Sequence, residues 1–349
     1  MELKGVSLKD FTSLRIGGGV DMVVVRSEEG LLDAIMHAKA EGLRVHILGS
    51  GTNTYFGEDL SNLLVLKMEM KGIECEKKKE NSKQKTEENS DSLQSTVYSL
   101  TSSAGESWDD IVKYAVARGL WGIENLSYIP GTIGAAPVQN IGAYGMELKD
   151  SLMSVRAYDL EQKSFVELTK EQCQFGYRDS LFKKVQGRYI ITQVTLELSK
   201  EKDTVLTYKP LDVLTSNKDV TLQEIRDVVI RTRTLKLPDY NFYPNAGSFF
   251  KNPIVSSTEA EVLRAKYPEM PLIPHQRGFK IPAAWLIEHV AAMKGVRIGD
   301  LGTWPNQTLV LVNYNEASAD DIDSLRNKIQ QKVRDSTGII LEQEVTRVD

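Results

Sequence analysis

The apolar positions of the chain alternate between a period of two and a helical period, with glycine, proline and capping residues marking the changes. Val23-Val24-Val25, inside residues 21–26, is a β-branched run that predicts a buried strand. Ser27 follows as a helix N-cap with Glu28 and Glu29 in the first turn, where carboxylates favour the helix dipole, and Gly42 stops that helix. Residues 44–48 predict a second strand that runs straight into Gly49-Ser50-Gly51-Thr52-Asn53. Ser107-Trp-Asp-Asp110 carries a capping signature. Ile111, Val112, Ala115 and Val116 form the apolar face of the helix behind it, which Gly119 ends. Alternation around 155–158, 165–168 and 189–198 predicts an antiparallel sheet and, with the helices, an α+β unit. Thr221 with Glu224 opens another helix that runs to Lys236, where Leu237-Pro238-Asp239 breaks it and a domain boundary is placed. Beyond lie a helix after Pro282 carrying Ala283, Trp285, Leu286, Val290 and Met293, and a strand at 308–313. A helix capped by Ser318 with Asp321 and a final strand over 338–348 complete the chain.

Between Cys75 and Thr96 the periodicity vanishes. The segment is polar and of mixed charge, with almost nothing to bury, so an exposed, mobile loop between two strands is expected, its Lys77-Lys78-Lys79 cluster solvated. The 349 residues suffice for two or three compact units. With 43 basic against 48 acidic residues the net charge is -5, which excludes a general nucleic-acid binder, since that affinity rests on neutralising phosphates. Cys75 and Cys173 lack the C-x-x-C spacing of metal or redox sites, and four isolated histidines suggest no metal site. The opening MELKGVSLKD has no signal pattern and no apolar run approaches membrane-spanning length. The expectation is a soluble cytoplasmic protein, a monomer, with neither nucleic acid nor membrane as partner.

The least ordinary stretch is 121–145, where small residues dominate and few charges intrude. Gly131, Gly134, Gly142 and Gly145 have access to backbone angles closed to other residues. Ala135, Ala136 and Ala143 keep side chains out of the way, so bare N–H groups are expected to face a flat or anionic ligand, with Pro130 and Pro137 stiffening the path. A Gly/Pro-rich connection between strands is the plainer alternative. In Gly49-Ser50-Gly51-Thr52-Asn53 the third glycine of a G-x-G-x-x-G fingerprint is replaced by Thr54 and no helical period follows, so a Rossmann reading fails. What remains is a glycine turn whose amides and Ser50, Thr52 and Asn53 side chains suit a pyrophosphate, or a plain turn.

Read in order, Thr12-Ser-Leu-Arg-Ile-Gly-Gly18, Ile47-Leu-Gly-Ser-Gly-Thr-Asn53, IPGTIGAAPVQNIGAYG at 129–145, Phe175-Gly-Tyr-Arg-Asp-Ser180 and Asn245-Ala-Gly-Ser-Phe-Phe-Lys-Asn-Pro253 resemble the UDP-N-acetylenolpyruvoylglucosamine reductase family over nearly the whole chain. The resemblance implies an α+β fold: a two-part FAD-binding domain of the vanillyl-alcohol-oxidase/PCMH type and a C-terminal α+β substrate-binding domain. The expected division is 1–67 and 68–232 for the two FAD-binding parts, with 75–96 as an insertion and 203–215 as a loop bearing a tyrosine. Residues 233–335 form the substrate domain, and 336–349 return to the active site. It also implies FAD and NADPH as cofactors and UDP-N-acetyl-enolpyruvoylglucosamine as substrate. Hydride would pass from NADPH to the flavin and from its N5 to the methylene carbon of the enolpyruvyl ether, giving UDP-N-acetylmuramate for peptidoglycan synthesis.

Residue by residue, the resemblance makes Arg178 the cation that holds the developing enolate, Ser248 the proton donor and Glu344 a supporting carboxylate. Glu342, two residues earlier, shares the expected strand face and is the competing choice; Thr346 stands where the pattern expects an arginine, which weakens a role for Arg347. FAD contacts fall to Gly49, Ser50, Gly51, Thr52, Asn53, Pro130, Gly131, Thr132, Gly134, Ala135, Ala136, Gly142, Ala143 and Arg233. Substrate contacts fall to Tyr144, Tyr208, Lys236, Asn252 and Gln307. Taken alone, Arg178 beside Asp179 is an ordinary ion pair, Ser248 a loop serine and Lys236 a helix-end cation. The rival functions are another FAD-linked oxidoreductase on the same scaffold and a protein that binds FAD or UDP-sugar without turnover.

Overall fold

The computed structural model describes residues 3–78, 97–217 and 219–349, and within it the chain gathers into two compact units. Met22–Gly49 and Leu64–Arg233 build the first; Lys4–Asp21, Ser50–Leu63 and Thr234–Asp349 build the second.

The first unit holds two layers of sheet and helix. Its strands Gly19–Val25, Leu63–Met68 and Arg44–Leu48 lie side by side in that order, and the helix Glu28–Ala40 buries Leu31, Ala34 and Ala38 in a core with Val23, Val25, Leu64 and Leu66. Ser27 caps that helix, accepting the Gly30 N–H at 3.1 Å, and Gly42 follows it at φ +67°. The second sheet is five-stranded and antiparallel, in the order Ser164–Thr169, Leu152–Asp159, Tyr189–Ser199, Val97–Ser103, Ile73–Lys77. On it packs the helix Trp108–Ala117, burying Trp108, Ile111, Val112 and Ala115 against Val155, Val194 and Leu196. Glu28 joins the two layers: Arg156 donates to both its carboxylate oxygens at 2.8 Å, and Thr192 Oγ1 to one of them at 2.9 Å. The expected loop at 75–96 begins later than composition suggested, because Cys75, Glu76 and Lys77 pair with Leu100, Ser99 and Tyr98. Residues 79–96 lie outside the described residues.

The second unit centres on an apolar core that gathers Tyr55, Phe249, Phe250, Leu286, Leu311, Ile322, Leu325 and Ile329. An antiparallel sheet in the order Asn245–Ser248, Gln307–Asn313, Leu301–Trp304, Arg297–Ile298 lies over the helix Ala319–Thr337. That helix has a full capping box from Ser318 and Asp321 and ends on Gly338 at φ +75°. The helix after Pro282 is a single turn, Ala283–Trp285, that widens into a π-turn over Leu286–Val290. The expected strand over 338–348 is shorter than its sequence pattern: Thr346–Val348 pairs in parallel with Thr54–Phe56, Gln343 makes one bridge to Phe250, and a bend at Val345 separates the two. Among the described residues no helix is long and apolar enough to cross a membrane, and no cluster of His, Cys, Asp and Glu could hold a metal ion.

Candidate active site

In the first unit the stretch 129–136 is laid along 104–108. Trp108 N–H donates to Gly131, Ile133 N–H to Glu106 and Gly134 N–H to Ala104, at 2.9–3.0 Å. Gly134 permits this approach, because a Cβ there would lie 2.5 Å from the Ala104 Cβ. Gly49, at the end of the strand Arg44–Leu48, meets the same segment: its Cβ would sit 2.6 Å from Thr132 Oγ1 and 3.6 Å from the Ala135 Cβ. Lys67 Nζ donates to the Gly49 carbonyl and fixes that turn from behind. The amides of Ile133, Gly134, Ala135, Ala136, Val138, Asn140 and Ile141 all donate to main-chain carbonyls. Of the glycines and alanines expected to offer bare N–H groups, Gly134, Ala135 and Ala136 are therefore already engaged by the main chain. Thr132 and Ala136 are buried, while Gly131, Gly134, Gly142 and Ala143 are half-buried and Ala135 exposed, which leaves a surface poor in side chains.

Arg178 sits at φ +53° in a turn closed by two hydrogen bonds between Gly176 and Asp179. Its guanidinium donates to the Gly142 carbonyl at 2.7 Å, and the Asp179 carboxylate pairs with Lys184 at 3.6 Å, so the fork is turned towards the glycine-rich stretch. Asn140 holds both sides of this arrangement together. Fully buried at φ +46°, it donates to the Gly176 carbonyl at 3.0 Å and to Glu147 at 2.9 Å, and accepts the Lys149 N–H at 3.0 Å. Ser180 adds a bond from its hydroxyl to the Val138 carbonyl at 2.5 Å. Tyr128 and Tyr144 also stand at positive φ, +61° and +48°. Four non-glycine residues in this strained region, all around one loop system, mark a backbone shaped for more than connection.

The Tyr144 phenol lies against Arg233; burial pushes the phenol up while Arg233 pulls it down. Arg233 in turn donates from Nε to the Tyr128 carbonyl at 3.0 Å, and burial pushes its guanidinium down from its ordinary value. The neighbouring Arg226 is buried and grips Asp109 with two bonds of 2.7 Å, while Asp109 accepts the Tyr128 N–H at 2.6 Å. Burial pushes the Asp109 carboxyl up, but the Arg226 and Tyr128 hydrogen bonds prevail and hold it below its ordinary value. Tyr128, just before Pro130, is thus clamped on both its main-chain groups by the helix Leu222–Lys236 and by the first turn of Trp108–Ala117. Tyr208 is 45% exposed on the loop 203–215, whose Leu211 shares a small core with Val220, Ile225 and Val229.

In the second unit a different set of predicted residues is stitched together. Ser13 N–H donates to the Gly51 carbonyl at 3.0 Å, Ser13 Oγ to the Asn245 carbonyl at 2.6 Å, and Asn245 N–H to the Ser13 carbonyl at 3.0 Å. Asn245 also accepts the Gly247 N–H at 3.0 Å and lets Gly247 turn at φ +72° just before Ser248. Ser248 stands half-buried at this bulge because Phe249 and Phe250 behind it are sunk in the core. Glu344 N–H donates to the Phe249 carbonyl at 2.8 Å, which brings the Glu344 main chain beside Ser248, and Asn53 Nδ2 donates to the Glu344 carbonyl at 3.3 Å. Glu342 instead ion-pairs with Lys251, its side chain 67% exposed. Arg347 binds Asp323 and Asp349, and Asp323 accepts from Tyr55 at 2.8 Å, so Arg347 anchors the last strand.

Lys236 is exposed at the end of its helix, where Asn306 Nδ2 reaches the Leu235 carbonyl at 3.4 Å and so brings the hairpin bearing Gln307 alongside. Asn252 accepts the Ala283 N–H at 2.8 Å and fixes the start of the helix after Pro282. Ser13, Asn140 and Asn245 escaped the sequence reading; each lies inside a quoted motif, which was the available signal, but serine and asparagine in such places read as turn residues. Arg178, Tyr144, Tyr208 and Arg233 belong to the first unit, and Ser248, Glu344, Lys236, Asn252 and Gln307 to the second.

Comparison with known proteins bears on what these groups hold. A family profile described as an FAD binding domain matches residues 22–167, and one described as UDP-N-acetylenolpyruvoylglucosamine reductase, C-terminal domain, matches residues 238–348. The residues fit a flavin dinucleotide: the first unit presents the side-chain-poor surface at Gly134, Ala135, Gly142 and Ala143 that a flat ring system needs. In the second, Gly51 at φ +65° turns Ser50, Thr52 and Asn53 into a compact polar loop. The chain is 40% identical to the UDP-N-acetylenolpyruvoylglucosamine reductase of Idiomarina loihiensis, over 87% of its own length and 85% of the relative's. It is 40% identical to that of Escherichia coli O6:H1, over 97% and 94%. The crystal structure of the Thermus caldophilus reductase matches over the full length of both chains with a TM-score of 0.66 at 23% identity, which shows a shared fold. By these relatives, the chain belongs to the UDP-N-acetylenolpyruvoylglucosamine reductase family.

Proposed function

We propose that the protein catalyses the NADPH-driven reduction of UDP-N-acetyl-enolpyruvoylglucosamine to UDP-N-acetylmuramate, a cytoplasmic step towards peptidoglycan. Bound FAD supplies a carrier that takes hydride from NADPH and yields it to the methylene carbon of the enolpyruvyl ether. Hydride addition drives negative charge onto the neighbouring carbon and its carboxylate. Arg178 answers that charge, since a guanidinium fork fits a carboxylate at two points and stays charged at any working pH. Ser248 supplies the proton that quenches the carbanion; a serine is a weak acid in water, but the carbanion is far more basic and placement decides the transfer. Glu344 supports that proton delivery. Tyr144, Tyr208, Lys236, Asn252 and Gln307 hold the nucleotide end of the substrate, an aromatic hydroxyl being able to stack and donate at once.

The observation that supports this reading best is the main-chain bond from Glu344 to Phe249, the residue after Ser248, together with the half-burial of Glu344 where Glu342 is exposed and paired with Lys251. NADPH and the sugar nucleotide approach the same flavin atom, so they share a pocket and react in alternation, with ping-pong kinetics as the signature. The test is a stopped-flow record on purified holoprotein: NADPH bleaches the flavin and UDP-N-acetyl-enolpyruvoylglucosamine restores its colour. Bleaching by a substrate alcohol without NADPH would instead favour an oxidase on the same scaffold. Initial-rate lines that intersect, without competition between excess substrate and NADPH, would contradict the shared pocket.

A further inference from the structure

Asn125 is fully buried in the short helical turn Glu124–Leu126, remote in sequence from both segments that it touches. Its Nδ2 donates to the Tyr144 carbonyl at 3.0 Å and to the Val205 carbonyl at 2.8 Å. Two main-chain carbonyls can only accept, so the amide's nitrogen end must face them and the orientation of the side chain is settled by chemistry. Thr204 Oγ1 adds a longer bond, 3.4 Å, to Asn125 Oδ1. Gly145 makes room on the other side: at φ +85° a Cβ there would lie 2.9 Å from Val205 Cγ1 and 3.5 Å from the Tyr208 Cβ. Tyr144 and Leu206 meet again against the small core of Leu211, Ile225 and Val229. The hairpin carrying Tyr144 is held independently, by pairing of Gly142–Ala143 with Met146–Glu147 and by Asn140. In the tyrosine loop, whose middle is held by Leu206 and Leu211 in that core, the first residues Thr204 and Val205 are the part that Asn125 holds.

We propose that Asn125 is a positioning residue that yokes the start of the loop 203–215 to the Tyr144 hairpin, and so sets the end of the loop from which Tyr208 reaches the sugar nucleotide. This rests on the assignment of Tyr208 to substrate made above, and the experiment separates the two. Oxidised holoprotein is titrated with UDP-N-acetylmuramate, read by the change in flavin absorbance, for the parent, Asn125→Ala, Tyr208→Ala and the double variant. The loss of two well-formed hydrogen bonds is expected to weaken binding by about tenfold in the parent background. Because Asn125 acts through Tyr208, the same change is expected to cost less than about twofold once Tyr208 is alanine, a coupling that general loss of stability does not produce. An equal loss in both backgrounds, or no loss in either, overturns the yoke alone. Unchanged affinity in Tyr208→Ala overturns the substrate assignment and the yoke with it. Gly145→Ala at an exposed position pushes on Val205 without opening the core and is expected to reproduce the coupled loss, which keeps the test in force if Asn125→Ala yields no folded protein.

Discussion

Glu342 and Glu344 are two residues apart and of one type, yet their surroundings separate them. Both main chains are tied to the segment 249–251, but the Glu342 side chain is exposed and pairs with Lys251, while Glu344 is half-buried and its carbonyl also accepts from Asn53. Glu342→Gln is therefore expected to leave both half-reactions within about twofold, as for an exposed ion pair of small energetic worth. Glu344→Gln is expected to slow the return of flavin colour by substrate by about tenfold or more, measured by rapid mixing. Equal, small effects would remove the carboxylate from the mechanism. The sequence pattern left these two open because alternate residues of a strand share a face; what separates them is their surroundings, Glu342 exposed beside Lys251 and Glu344 half-buried. The buried amides of Asn125 and Asn140 were illegible for another reason. Asn125 binds the Tyr144 and Val205 carbonyls and Asn140 the Gly176 carbonyl, the Glu147 carboxylate and the Lys149 N–H, and nothing in either residue's immediate neighbours along the chain reveals such partners.

At the scale of elements, the helix starts were plain in the sequence: Ser27, Ser107, Thr221 and Ser318 all cap as their local patterns require, because capping is a contact over three residues. The antiparallel order of Leu152–Asp159, Ser164–Thr169 and Tyr189–Ser199 followed from alternation. The ties between elements did not, and they carry measurable energy. Asp109 joins the helix Trp108–Ala117 to Leu222–Lys236 through Arg226, and removing its charge leaves a buried guanidinium without its carboxylate. Asp109→Asn is expected to lose about 3 kcal/mol of unfolding free energy at neutral pH, read by denaturant titration. The Asp109 carboxyl is held below its ordinary 3.8, so this stabilisation is present above that value and is lost as pH falls through the lower folded-state value. The deficit of the variant should shrink there accordingly. Ser13→Ala removes the 2.6 Å bond from Ser13 Oγ to the Asn245 carbonyl, which ties the residue bonded through its N–H to Gly51 to the strand that carries Ser248. It is expected to lower stability by about 1 kcal/mol and to weaken retention of FAD in an ultrafiltration assay; unaltered retention would make Ser13 a fold residue only.

Across the whole molecule, the sequence motifs identified the family, while the interleaving of 4–21 and 50–63 with 234–349 has no local signal, since it arises from packing between distant segments. One consequence for global stability comes from His46, in the strand Arg44–Leu48, which burial pushes down from 6.5 to about 4. A lowered value means that its contribution is fully present above pH 6.5 and is lost as pH falls towards 4. At ~1.4 kcal/mol per pKa unit the ceiling is about 3 kcal/mol. His46→Phe is expected to flatten the melting temperature between pH 6.5 and 4, and an unchanged slope would place the dependence elsewhere. The proposed reaction divides into two half-reactions, and Ser248→Ala tests that division most directly in a stopped-flow experiment on FAD-loaded protein. NADPH is expected to bleach the flavin at the parent's rate, while UDP-N-acetyl-enolpyruvoylglucosamine restores the colour ~10²–10⁴-fold more slowly. Recovery of colour at the parent's rate, or equal slowing of both phases, would contradict it.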